Sequence, residues 1–240
     1  MATFLELVNE VNRRLNEVEL TSGTFPTATG FYAHAKDAVN ASIRYINQSE
    51  YEWPFNHNLQ TLTLTVNQSR YSFPADCKVI NFDSFRIRED ATIGNATTRL
   101  MSISYEDYLD KYVAQEYSTS AGQGVPNKVV HAPSLEFILT PEPDKAYVLL
   151  YEYYNFSTDL SLYSDTTVIP DRFKHIIVDG AMHYAYLFRG NTQDALVAKE
   201  KFDEGIKHMR SMLINRTRYV RSYLIPQNTG GGSRYGFSWL

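Results

Sequence analysis

At 240 residues with 43% apolar and 14% aromatic side chains, the chain carries enough hydrophobic mass for one substantial domain or two modest ones, and it is not a disordered sequence. Its formal charge of −4 is unevenly spread: residues 1–170 hold 21 acids against 12 bases, net −9, whereas residues 171–240 hold 6 against 11, net +5. The acidic body excludes a nucleic-acid clamp, which needs clustered Lys and Arg; the lone Cys77 excludes an intrachain disulfide and fits a reducing compartment; and no apolar run approaches the ~18 residues of a membrane span.

The first element reads as a helix. Thr3 and Glu6 have capping-box spacing, and Phe4, Val8, Val11, Leu15 and Val18 recur at steps of four and three, forming one seam. A turn at residues 21–26 ends it. A second helix is expected from Thr27 or Thr29, burying Phe31, Ala35, Ala38, Val39, Ile43 and Ile46. It must stop before Trp53-Pro54-Phe55, because a proline denies the preceding residue the α conformation.

From there the period falls to two. Residues 61–66 alternate, Asn67-Gln68 has turn chemistry, and residues 70–73 alternate again, which predicts a hairpin. Further strands are expected over 79–88, 99–103, 128–131, 135–139 and 147–154, with a short helix over 105–113 capped by Ser104. Pro141-Glu142-Pro143-Asp144 is expected to join the last two strands as a second hairpin. Antiparallel strands in this number suggest a small sandwich or barrel.

Helical spacing returns at Ile169-Pro170-Asp171. Asp171 is expected to cap a helix with Phe173, Ile176, Ile177, Gly180, Ala181, Tyr184, Leu187 and Phe188 on one face. After Gly190 a last helix buries Ala195, Ala198, Phe202, Ile206, Met209 and Leu213. The fold class is therefore α+β: a discontinuous four-helix bundle from the two ends of the chain, a β domain inserted in it, and an extended C-terminal arm. The expected boundaries are 1–56 and 169–215 for the two bundle halves, 57–168 for the β domain and 216–240 for the arm.

Beyond Glu204 the chain has no acid, yet it has Lys207, Arg210, Arg216, Arg218, Arg221 and Arg234. Arg216, Arg218 and Arg221 interleave with Tyr219 and Tyr223. A glycine run at 230–232 then precedes Tyr235, Phe237, Trp239 and Leu240, and such a run holds no fixed backbone by itself. Alternation puts the rings at 235, 237 and 239 on one side of an extended segment laid on another surface. The arm thus reads as a docking device, preferred over a single-strand nucleic-acid site because the rest of the chain is acidic. The 18 tyrosines suit either subunit interfaces or a tyrosine-rich sheet.

Chemistry is thinly supported. His175, Asp179 and His183 recur every four residues on one expected helix, but the outer pair is about 12 Å apart along the axis, too far for one ion, so a structural polar face is preferred. Cys77 sits in a strand-entry turn without a local histidine motif. Glu106, Asp107 and Asp110 fit a helix start better than paired acid catalysis. No phosphate-cradling or nucleophile-elbow pattern occurs, so no catalytic site, metal or cofactor is expected. The six Asn-x-Ser/Thr sequences (Asn40, Asn47, Asn67, Asn95, Asn155, Asn215) are read as chance.

Several segments, in order and spacing, resemble the head-to-tail adaptor proteins of short-tailed bacteriophages, the tail tubular protein A or gatekeeper family. They are Val8-Asn9-Glu10-Val11, Trp53-Pro54-Phe55-Asn56, the 67–76 stretch, Leu139 to Asp144, Ile169 to Phe173 and Ala181 to Tyr186. The short glycine-rich end departs from the pattern. The resemblance implies a dodecameric ring in the virion neck between portal protein and lower tail or nozzle protein, with duplex DNA passing through unbound. It also implies C-terminal arms reaching the portal, no catalysis, and residence in the host cytoplasm before assembly. Trp53, Pro54 and Phe55 are expected at the junction of bundle and β domain. The alternative is a carbohydrate-binding β module or another tail or fibre component.

Overall fold

The computed structural model describes residues 1–88, 97–116 and 122–214. Helix α1 (Phe4–Arg14) opens with the anticipated capping box: the Glu6 amide donates to Thr3 Oγ1 at 3.2 Å, and the Thr3 amide donates to Glu6 Oε2 at 2.9 Å. It ends sooner than its seam suggests. Asn16 takes a left-handed φ of 56° and the Glu17 amide bonds back to the Asn12 carbonyl, so Val18 lies beyond the helix and is exposed. Helix α2 (Phe31–Ser49) starts after Gly30, at φ 60°, without a side-chain cap, rather than from Thr27 or Thr29. Ala35, Ala38, Val39, Ile43 and Ile46 are buried as expected.

The β region forms two main layers. Strands β1 (His57–Thr63), β2 (Arg70–Ser72), β3 (Cys77–Arg88), β4 (Thr98–Arg99) and β5 (Met101–Ile103) are followed by short helices α3 (Tyr105–Lys111) and α4 (Val113–Glu116). Strands β6 (Gln123–Gly124), β7 (Lys128–Ala132), β8 (Glu136–Thr140), β9 (Glu142–Pro143) and β10 (Val148–Asn155) complete it. One antiparallel sheet has the order β1-β10-β3-β4 and the second β2-β8-β7-β5. Phe85 and Tyr151 from the first meet Phe137 from the second, at centroid distances of 5.2 and 5.5 Å. The layers therefore share one core, with Leu64, Tyr71, Leu139 and Leu149 in it. Not every pairing is antiparallel: β5–β7 and β6–β9 run parallel.

Neither expected hairpin forms. β1 pairs with β10 and β2 with β8, in different sheets. At the buried Leu64 the chain turns a corner between layers. The Leu64 amide still bonds to the Tyr147 carbonyl, the Leu139 amide to the Ser69 carbonyl, and the Tyr71 hydroxyl accepts from the Thr65 amide at 3.0 Å. Residues 141–144 likewise carry the chain from the second sheet to the first, with β9 pairing to β6 on the way. Alternation showed which residues face a core and not which strand lies alongside. Capped by Ser104 as expected, α3 covers the outer face of the second sheet with Tyr108 against Val130, Ala132 and Ile138. That two-sided cover is why Phe137, Ile138 and Leu139 are all fully buried.

The chain returns to the helices through a strap. Asn40 of α2 exchanges two hydrogen bonds with the Leu160 backbone, and the Phe4 amide donates to the Asp165 carbonyl at 2.8 Å. Asp171 does not cap a helix as expected. Residues Asp171–Phe173 form a 3-10 turn, and its carboxylate lies 2.7 Å from the Met1 amino group. Helix α5 (Lys174–Phe188) buries Ile176, Ile177, Ala181 and Ala185, while Leu187 and Phe188, expected inside, are exposed where Gly190 ends the helix at φ 73°. Helix α6 (Thr192–Leu213) buries Ala195, Ala198, Phe202, Ile206 and Met209. Side chains of α1, α2, α5 and α6 join in one apolar core. Helices approach closely at Gly180, where a Cβ would stand 2.3 Å from Ser42 Oγ and 2.7 Å from the Phe202 ring.

Candidate functional site

Several distant elements meet at the C-terminus of α2. After Ser49 the backbone extends, and Trp53 folds back to full burial, its Nε1–H donating to the Ile46 carbonyl at 2.7 Å. Pro54 opens a 3-10 turn over Pro54–Asn56, which suits a residue lacking an amide hydrogen at a helix start. Phe55 is half-buried and stacks on Trp53 at 5.4 Å with ring planes 15° apart. Asn56 Nδ2 then donates to Asn47 Oδ1 at 2.6 Å, and β1 begins at the next residue. The Trp-Pro-Phe segment thus lies between the helical core and the first strand of the β layers.

Two cations from distant elements complete the helix end. Lys78 of β3 donates through Nζ to the Asn47 carbonyl and, at 2.5 Å, to the Glu50 carbonyl. Arg210 of α6 donates to the Ser49 carbonyl at 2.7 Å and lies 2.9 Å from the Glu50 carboxylate. The last carbonyls of a helix carry its negative dipole end, so both contacts satisfy orphan acceptors and favour positive charge there. Burial pushes the Lys78 ammonium below its ordinary range, with Glu50 opposing that shift. Sequence reasoning missed both residues, because nothing in a basic residue's neighbours says that it will meet a helix end 28 or 161 positions away.

Arg210 also pins the last turn of α6. Helix α6 ends at Leu213, and the Ile214 amide still bonds to the Arg210 carbonyl at 3.0 Å. The proposed docking residues Arg216, Arg218, Tyr219, Arg221, Tyr223, Arg234, Tyr235, Phe237, Trp239 and Leu240 lie outside the described residues.

Several of the candidate chemical groups are engaged in structural contacts. Asp179 accepts from Arg14 at 2.5 Å, His183 Nδ1 lies 2.8 Å from the Ala195 carbonyl, and His175 is solvent-exposed. Among the described residues no group of three or more His, Cys, Asp or Glu side chains could hold a metal. Burial, with Asp76 adding to it, pushes the Cys77 thiol up to about 11, away from the thiolate a nucleophile needs. Asp107 accepts from Lys111 and Ser104, which hold its carboxyl below the usual range, while Glu106 and Asp110 are exposed.

A further network was not legible in the sequence. Glu116 of α4 accepts from Arg70 Nε at 2.5 Å and Nη2 at 3.0 Å, from the Tyr108 hydroxyl at 2.7 Å and from Ser69 at 3.2 Å. Hydrogen bonding to Arg70 holds the Glu116 carboxyl low against the opposing effect of burial, and raises the guanidinium in turn. The fork clamps the α3–α4 layer onto β2.

Part of the tyrosine content belongs to the β region and its cover. Tyr71, Tyr108, Tyr147, Tyr151 and Tyr153 are buried, and burial pushes Tyr151 up to about 12. An open groove of 480 Å³ on the solvent face of the first sheet is lined by Leu59, Asn81, Asp83, Arg86, Arg99 and Glu152 among others. Its Asp83 is paired with Arg99 at 2.8 Å, and it has no aromatic platform for a sugar ring. No described helix is long and apolar enough to cross a membrane. Asn40 and Asn47, within two of the Asn-x-Ser/Thr sequences, spend their side chains on internal hydrogen bonds.

A comparison with curated proteins finds no match. The family model described as SU10 adaptor protein matches residues 2–226, nearly the whole chain, including the helices and both main sheets. The chain therefore belongs to the SU10 adaptor protein family, and is a bacteriophage adaptor, a structural component of the virion.

Proposed function

We propose that this adaptor acts as a head-to-tail connector of the tail tubular protein A or gatekeeper type: twelve copies form a ring that joins the portal protein to the lower tail or nozzle and surrounds the DNA exit channel. Family membership over residues 2–226 is the observation that carries the reading. In it, residues 1–56 and 169–215 form a discontinuous four-helix bundle that packs side by side around the ring, and residues 57–168 form the inserted β domain. The arm from residue 216 docks on the portal, its arginines on acidic surface and its terminal rings in apolar pockets. Trp53, Pro54 and Phe55 hold bundle and β domain in fixed relation.

The charge distribution supports a passive channel. With net −9 over residues 1–170, a ring wall repels or only weakly attracts a phosphate backbone, which can then slide; clustered bases would grip it. Tight duplex binding by the isolated protein at physiological salt would contradict this. Electron microscopy of the purified protein, alone and mixed with portal, tests the connector reading directly. Twelve-fold rings, or ring-on-portal particles, support it. A protein that stays monomeric and leaves portal particles bare overturns it.

A further inference from the structure

The first sheet ends on an open flank. β1 is seven residues long and pairs with β10 over its whole length, from His57 opposite Tyr154 to Thr63 opposite Val148, yet among the described residues no strand pairs with its other edge. It has none of the features that keep such edges solitary: His57-Asn-Leu-Gln-Thr-Leu-Thr contains no proline, lysine or acid, and the register shifts of this sheet fall between β10 and β3. Its burial is also incomplete. The inward Asn58, Gln60 and Leu62 are only half-buried, whereas Leu149, Tyr151 and Tyr153 on the adjacent strand are fully or nearly covered, and Leu59 on the outer face is 62% exposed.

The geometry points to one occupant: residues 217–225 of this same chain add as a strand to the free edge of β1. Three observations favour it over other partners. Arg210 bonds to Ser49 and pairs with Glu50, while Asn56 bonds to Asn47, so the end of α6 and the head of β1 sit at the same helix terminus. The sequence Thr217-Arg-Tyr-Val-Arg-Ser-Tyr-Leu-Ile225 is rich in β-branched and aromatic residues, and Pro226 stops any ladder. Its length fits: residues 214–216 bridge about 10 Å, and nine extended residues cover about 30 Å against about 23 Å for β1. Because β1 itself starts at the shared junction, a segment entering from there pairs parallel to it. The tether raises its local concentration far above that of a free partner. Arg218 and Arg221 are then presented to the portal from a sheet edge, and residues 226–240 reach beyond it.

This pairing does not depend on the connector reading, and its test uses the isolated full chain. Val220→Pro with Ser222→Pro breaks the ladder from the arm side without touching the core. Amide exchange of β1 is read in both proteins at several concentrations. The expected result is that the β1 amides pointing away from β10 exchange at least about tenfold faster in the proline variant, at every concentration, while those bonded to β10 are unchanged. Equal rates in the two proteins overturn the proposal. So does protection that survives the prolines and grows with concentration, because a second copy would then cover the edge.

Discussion

Replacing Trp53 with alanine tests how much of the molecule hangs on the junction. The ring is completely buried, so truncation removes about 150–250 Å² of contact area; at about 25 cal/mol per Å² that is about 4–6 kcal/mol before the retained Cβ and local collapse reduce it. The lost hydrogen bond adds little, since the Ile46 carbonyl keeps the Ser49 hydroxyl as a donor at 2.8 Å. The expected cost is about 3–5 kcal/mol, which at about 2–4 °C per kcal/mol for a chain of this size lowers Tm by about 6–20 °C. Trp53→Phe, which keeps an aromatic body but loses the Nε1–H, should cost about 1–2 kcal/mol. Calorimetry or thermal circular dichroism reads both, and ring assembly should fail at the temperature where the Trp53→Ala protein melts. A Tm within 2 °C of the parent chain would show that the helical and β cores hold their relation without this ring, and the junction argument would fall.

Gly180→Ala should destabilise by about 1–3 kcal/mol in urea unfolding, because the new methyl meets Ser42 Oγ and the Phe202 ring at distances no packed carbon tolerates; adding Ser42→Ala should recover part of the loss. Glu116 gives a pH signature. Its folded pKa lies below the ordinary 4.5, so its contribution is present above that value and is lost as pH falls through the lower folded pKa. The stability gap between the parent and Glu116→Gln should accordingly be widest near neutrality and close on acidification; a gap that widens in acid would contradict the Arg70 fork. Deleting residues 226–240 should leave Tm unchanged while abolishing co-sedimentation with portal, and salt should weaken the intact joint only in part, because apolar contacts are not screened. Full portal binding by the truncated protein would move the connection from arm to body.

The helices were readable because a buried stripe at a 3.6-residue period is a local signal: Ala35, Ala38, Val39, Ile43 and Ile46 lie where their spacing put them. Ends were less readable. Asn16 and Gly30 terminate by backbone conformation, and Val18, one step further along a plausible seam, is left in solvent. In the β region alternation found the strands but not their partners, since residues 61–66 and 70–73 fit a hairpin and a corner between sheets equally well. Tyrosine abundance was ambiguous for a similar reason: whether a phenol faces a core or a neighbour depends on the layer opposite, and here Phe85 and Phe137 supply it. The end of α2 ahead of Trp53-Pro54 was readable because proline's restriction acts on its own neighbours. Lys78, Arg210 and Glu116 stayed hidden because each acts on a backbone or side chain far away in sequence.

The energetic ranking at the end of α2 bears on how a connector could carry load. A cation at a helix C-terminus contributes about 0.3–1 kcal/mol when exposed and up to about 2 kcal/mol when partly buried, as Lys78 and Arg210 are here, so each alone falls short of the burial of Trp53. They supply direction instead. Trp53 fixes the chain that leaves α2, Lys78 fixes β3, and Arg210 fixes the last turn of α6, so three segments are oriented by one set of carbonyls. Pulling beyond residue 214 would therefore load Ile214 and Leu213, which pack on the helical core, and then the Arg210 contacts to Ser49 and Glu50, whose helix also holds the buried Trp53.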